Sequence, residues 1–276
     1  MTAGADTTDA EYEREQIGAI ELWRATPPSV VERAMSTLAM PVAWAVNKVI
    51  PTKAVEGALR GSNWLAGKTL GKNWAAKKAG VADEAALAGL PLRQLDEIAD
   101  RFHTRAIAYA TTEGGAMGAL GVVGIAFDVP ALITLALRTI RGIGSAYGYD
   151  AEDEAEREFA LAILSAAGSS SLTEKTAALA TLQSIKVTAG RVTFKKMAEA
   201  AASRPLSNEA AIIAIKTLAK QLGVNITKRK LAQAVPVIGG AVGMAVNAAF
   251  IGDVGWAARR AYQARLLTDR GHTIAG

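Results

Sequence analysis

A chain of 276 residues is long enough for one large hydrophobic core, and half of its residues are hydrophobic. It has no cysteine, which excludes disulfides, thiolate metal sites and cysteine nucleophiles. The formal charge of +5 permits a phosphate-rich partner, lipid or nucleic acid, but a solvated surface also accounts for it.

The apolar share is rich in alanine, and only 5% of the residues are aromatic. Alanine, leucine, lysine, arginine and glutamate all favour helix, while β-branched and aromatic runs are scarce. An all-α multi-helix bundle is therefore expected, with no strand–helix alternation to suggest a doubly wound sheet. Residues 1–8 read as a disordered start. Residues 9–276 read as one helical domain, within which 9–90 can form an N-terminal helical subdomain. Met1 to Gln16 is polar and acidic without an apolar stretch, so no secretory signal is expected.

Thr8 can cap a first helix running to about Arg24 and ended by Pro27 and Pro28. Ser29 can cap a second, interrupted at Pro41 and stopped before Pro51. Lys53 to Lys78 carries Trp64, Trp74 and several lysines and reads as one or two amphipathic helices. Asp83 to Leu90 is a short connector. Pro91 opens a long helix in which Leu92, Leu95, Ile98, Ala99, Phe102, Ala106 and Ala110 recur at intervals of three and four, a clear core stripe.

A glycine-rich segment follows, then a helix from Val129 to the turn Tyr147-Gly148-Tyr149-Asp150. Ala151 to Ala167 begins with an acidic turn that suits a helix N-terminus. Further helices are expected from Thr173 to Ser203 and from Ser207 to Leu222. Ile226 to Gly252 is a second glycine-rich region, and Val254 to Arg270 closes the fold.

The two glycine-rich regions echo each other. Gly114-Gly115-Ala116-Met117-Gly118 and Gly239-Gly240-Ala241-Val242-Gly243 are each followed by nine residues and then by Asp128-Val129 and Asp253-Val254. This predicts two like helical hairpins in a pseudo-repeat. Each helical glycine costs about 1 kcal/mol relative to alanine. Gly114 and Gly118, like Gly239, Gly243 and Asn247, share a helical face, where close packing of a partner helix offsets that cost. Asp128 and Asp253 are expected to cap the helices that follow them, with Pro130 in a first turn. A catalytic or metal-binding carboxylate pair is the alternative, and nothing nearby supports it.

Gly114 to Phe127 is uncharged but spans only roughly 21 Å as a helix, short of a bilayer core. Leu231 to Gly252 comprises 22 uncharged residues. It is long enough to span, yet Pro236, Asn247, Gln233 and its glycines and alanines make it weakly hydrophobic. A buried core element, an interfacial element and a true span all remain open for it.

Catalytic motifs are not found. His103 and His272 are the two histidines, and His103 beside Phe102 reads as a partly buried structural residue. Gly61 to Thr69 (GSNWLAGKT) resembles a phosphate loop, but it has five residues between its glycines instead of four and no preceding strand. Ser169-Ser170-Ser171 reads as loop. No metal or cofactor is expected. Basic groups at Lys68, Lys72, Lys77 and Lys78, at Lys195 and Lys196, at Lys228 to Lys230 and at Arg259, Arg260 and Arg265 suit solvated faces. Where lysines interleave with Trp64 and Trp74 they also suit an anionic lipid interface. Nucleic-acid binding lacks a recognisable motif.

The stretch Leu222-Gly223-Val224-Asn225-Ile226-Thr227-Lys228-Arg229-Lys230, continuing through Pro236-Val237-Ile238-Gly239 and Gly243 to Asn247, resembles the EcsC protein family. So do Asp253-Val254 with Ala257 to Arg260, and upstream Asp128-Val129-Pro130 with Tyr147-Gly148-Tyr149-Asp150. The resemblance covers most of residues 91–276. It implies a bacterial cytoplasmic protein with membrane links and carries over no catalytic residue.

The leading expectation is thus a non-enzymatic protein held peripherally at the inner face of a membrane, bound to anionic lipid or to a membrane protein. Its contact residues would be Trp64, Lys68, Lys72, Trp74, Val123, Phe127, Lys228, Arg229 and Lys230. The alternative is a soluble helical protein enclosing an apolar small molecule between the two glycine-rich hairpins. An enzyme using dispersed carboxylates and arginines ranks third.

Overall fold

The stripe beginning at Leu92 does form one long helix. In the computed structural model, α4 (Leu92–Gly118) buries Leu92, Leu95, Ile98, Ala99, Ala106 and Ala110. The structure describes residues 3–27, 57, 59, 70–118, 121–151, 153–169, 171–180 and 239–274. Before α4 come α1 (Ala3–Ala25), α2 (Trp74–Ala79) and α3 (Glu84–Leu87). After it come α5 (Gly121–Ala146), α6 (Glu154–Ala167), a helical stretch over 172–180, and α7 (Gly239–Asp269). The protein is all-α, and no strand occurs among the described residues.

The local chemistry at the element ends is readable. Asp83 caps α3 by accepting from the Ala86 backbone N–H at 3.0 Å, so the expected connector contains a short helix. Gly148, at φ +89°, supplies the left-handed residue of the turn that ends α5. Ser171 accepts from the Glu174 N–H at 3.2 Å, starting the stretch over 172–180.

α7 is the central helix, packed against α1, α4, α5 and α6. Phe250, Ile251, Val254, Ala257, Ala258, Tyr262, Leu266 and Leu267 are all buried on it, on more than one face, as a helix enclosed by others requires. Three glycines let the helices close around ring side chains. A Cβ on Gly142 would lie 2.3 Å from the Phe102 ring, one on Gly144 2.5 Å from Tyr262, and one on Gly255 2.1 Å from His103.

Several expectations need correction. α1 begins at Ala3, so Thr8 lies inside the helix instead of capping it. Of the one or two helices expected over Lys53–Lys78, the part that ends the region is α2, which starts at Trp74 after Asn73, at φ 57°.

Asp128 and Asp253 do not cap helices either. Asp128 lies within α5, where Pro130 is an interior residue, and Asp253 lies within α7. The two GGA-x-G segments are helical as expected, packing in a bundle overriding the weak propensity of glycine. The echo also divides differently in its two copies. Gly114 to Gly118 end α4 and Asp128 belongs to the next helix, whereas Gly239 to Asp253 lie in one helix. The hairpins themselves depend in part on 119–120 and 181–238, outside the described residues.

Candidate functional site

The back of α4 meets α7 through a buried polar spine. Asp96, only 2% exposed, accepts from Tyr147 Oη at 2.5 Å, Tyr12 Oη at 2.7 Å and Gln263 Nε2 at 2.8 Å. Arg259 reaches the same carboxylate at 3.1 Å and also pairs with Asp100. One carboxylate thus ties together α1, α4, α7 and the turn after α5. Burial, reinforced by Asp96, pushes the Tyr12 hydroxyl up to about 12 and the Tyr147 hydroxyl well above its ordinary value. Burial opposes the charge on Arg259, but Asp96, Tyr147 and Asp100 together outweigh it and raise the guanidinium pKa.

A second tie joins α6 to α7. Glu156 accepts from Arg265 at 2.5 Å and from Tyr262 Oη at 3.2 Å, and burial raises its pKa against the pull of Arg265. A third lies where α1 meets the chain after α7: Glu13 accepts from Arg270 at 2.5 Å and pairs with His272 at 2.8 Å. Arg270 also donates to the carbonyls of Ala88 and Leu90. A surrounded carboxylate such as Asp96 has its acceptor capacity filled from within the fold, which makes it a strut between helices.

His103 meets its expected structural role. It is buried, with Nε2 3.2 Å from the Ile251 carbonyl and its ring edge-on to Trp256. Burial holds its pKa below the ordinary value.

The front of α4 is different. Ile98, Phe102 and Ala106 of α4, Ala131 and Leu135 of α5, and Leu70 and Trp74 form the apolar lining of a cleft of about 800 Å³. The spacing of four places each set on one face of its helix. Lys78, Arg101, Arg105 and Arg138 also line it, together with Thr134, Tyr109 and Glu113. Arg138 lies over the Phe102 ring at 5.7 Å, and Phe102 packs on Trp74 at 4.9 Å between centroids. Gly142 supplies the space that Phe102 occupies. Trp74 Nε1 is buried without a hydrogen-bond acceptor among the described residues. The volume falls within the range of small-molecule sites, about 300–1,000 Å³.

The expected contact residues distribute unevenly over this structure. Trp74 faces inward as part of the cleft wall, while Lys72 is exposed on the turn before it. Trp64, Lys68, Lys228, Arg229 and Lys230 lie outside the described residues, as do the side chains of Val123 and Phe127. The backbones of Gly114, Gly118, Gly239 and Gly243 are helical. Asn247 and Asp128 meet each other, and Asp253 is partly buried on α7. Arg101, Arg105 and Arg138 were missed, although Arg101 and Arg105 are one helical turn apart beside the Phe102 stripe. Among the described residues no three His, Asp or Glu side chains converge as a metal site. No helix of the described residues is long and apolar enough to cross a membrane.

The architecture is thus an all-α bundle around a central glycine-bearing helix, with struts inside and a cation-lined cleft at its surface. The chain belongs to the EcsC protein family, whose model matches residues 14–267. It is similar to the uncharacterised protein YdbA of Bacillus subtilis (strain 168), 28% identical over 181 residues. That alignment covers 65% of this chain and 61% of YdbA, so the chain spans less than two thirds of its relative's length. No solved structure matches.

Proposed function

We propose that this is a non-enzymatic helical protein that associates peripherally with the inner face of a bacterial membrane and binds anionic lipid. The observation that carries the reading is the cleft between α2, α4 and α5, where an apolar floor is bordered by four cations and one carboxylate. Apolar lining favours hydrocarbon, and the cations favour an acidic head. The net positive charge of the chain agrees in sign with an anionic bilayer.

Flotation of the full chain with vesicles tests this. Binding to vesicles containing phosphatidylglycerol is expected at low salt, weaker binding as salt screens the exposed cations, and little binding to neutral phosphatidylcholine vesicles. Failure to float with the anionic vesicles at low salt overturns the membrane reading. The alternative of a soluble apolar-ligand carrier then gains, with the cleft as its site in place of the space between the glycine-rich hairpins.

A further inference from the structure

We infer that the cleft holds a single-chain amphiphile in one direction, its acidic head among Lys78, Arg101, Arg105 and Arg138 and its chain running towards Ala131 and Glu113. This rests on the lipid-binding reading and adds to it the kind of lipid and its orientation.

The direction follows from the register of α4 and α5. Phe102 fits against Gly142, and Tyr147 just beyond α5 bonds to Asp96, so the two helices run antiparallel. Going up α4 from Phe102 to Glu113 therefore means going down α5 from Arg138 to Ala131. Arg138 over Phe102 and Trp74 against Phe102 bring Arg138, Arg101 and the α2 residue Lys78 to one end of the cleft. Thr134, Ala131, Tyr109 and Glu113 occupy the other end. An acidic head is attracted to the first end and repelled by Glu113 at the second.

The floor between the ends is apolar at Ala106 and Leu135. From Arg101 to Glu113, α4 rises about 18 Å at its helical pitch, close to the length of one extended long acyl chain. The cleft of about 800 Å³ between the facing helices has room for one long acyl chain. At the far end Ala131 and Thr134 of α5 are the small side chains, opposite Tyr109 and Glu113, so a bulkier residue at 131 shortens the cleft.

The test uses the full chain and variants that retain the wild-type melting temperature. Intrinsic tryptophan fluorescence is titrated with decanoic acid, hexadecanoic acid and hexadecanol, all below their aggregation concentrations. Wild type is expected to prefer hexadecanoic acid over hexadecanol. Arg138→Gln should weaken both acids about tenfold or more and leave the alcohol nearly unchanged. Ala131→Trp, at the far end, should weaken hexadecanoic acid about tenfold while sparing decanoic acid. Equal loss for both acids in Ala131→Trp, or undiminished acid binding in Arg138→Gln, overturns the orientation. Flotation with anionic vesicles but no binding of either acid overturns the single-chain assignment while leaving the membrane reading intact. Failure of both measurements removes the lipid reading itself.

Discussion

Asn247 donates its side-chain amide to the Asp128 carboxylate at 3.0 Å, joining α7 to α5 inside the bundle. Both side chains are buried, at 1% and 0% exposure. Breaking such a contact removes a buried hydrogen bond to a charged group, at about 1–3 kcal/mol. Asp128→Ala and Asn247→Ala should each destabilise by about that amount in urea unfolding. The double variant should lose less than the sum, with a coupling of about 0.5–3 kcal/mol. Strict additivity would falsify the pairing.

The Asp96–Arg259 pair makes a stronger claim. Both partners are buried and Asp96 is encircled by donors. Arg259→Met leaves the Asp96 charge with less compensation, which costs about 3–5 kcal/mol for buried pairs. Arg101→Met, at an exposed pair with Glu97, should cost less than about 1 kcal/mol. Denaturation midpoints that fail to separate the two variants would remove the strut role assigned to Asp96.

Two glycines on α7 should respond to alanine with opposite signs. A Cβ on Gly252 meets nothing within 4 Å, so Gly252→Ala should gain up to about 1 kcal/mol from helix propensity alone. A Cβ on Gly255 meets the His103 ring at 2.1 Å. His103 is wedged between α4 and α7, so Gly255→Ala should cost about 1–3 kcal/mol from overpacking. Thermal unfolding distinguishes them, and a gain in both would refute the notch.

Lys175 donates to the Thr26 carbonyl at 2.8 Å and to that of Trp23, closing the C-terminal end of α1. Burial lowers its pKa from 10.5 to about 8. Between those values the unfolded chain binds more protons than the folded one, so this lysine's contribution to stability increases as pH rises from about 8 to 10.5. The stability of wild type relative to Lys175→Met should rise across that window. A flat difference would show that Nζ is well hydrated in the fold.

Changing Lys228, Arg229 and Lys230 together to Gln tests the membrane reading outside the cleft. At about 1 kcal/mol for each cation near an anionic surface, affinity for phosphatidylglycerol vesicles should fall by up to about two decades, with no change in melting temperature. Unaltered flotation would take these residues out of the interface.

The all-helical fold was legible because the α4 stripe is strictly periodic and strand signals are scarce. The boundaries were not legible where glycine and proline punctuate buried helices. Gly121 begins a helix and Pro130 sits inside it, since packing against α4 and α7 decides what local propensity leaves open. Asp128 looked like a cap because it precedes Val129-Pro130, and only Asn247, over a hundred residues away, reveals its role. The cleft was hidden for a related reason. Reading along the chain weighted Trp64 and Trp74 with their neighbouring lysines, whereas the cleft gathers one cation from α2, two from α4 and one from α5.

The ties between α1 and the end of α7 carry a consequence for the order in which the fold can assemble. Gln16 accepts from Arg260, and Glu13 accepts from Arg270, across separations of 244 and 257 residues. On the ribosome, α1 emerges well before these partners, so it cannot complete its packing until they too have been made. Contacts this distant in the chain slow folding and leave the early segment exposed to wrong partners. α1, though made before α7, is therefore secured only once α7 and Arg270 have emerged.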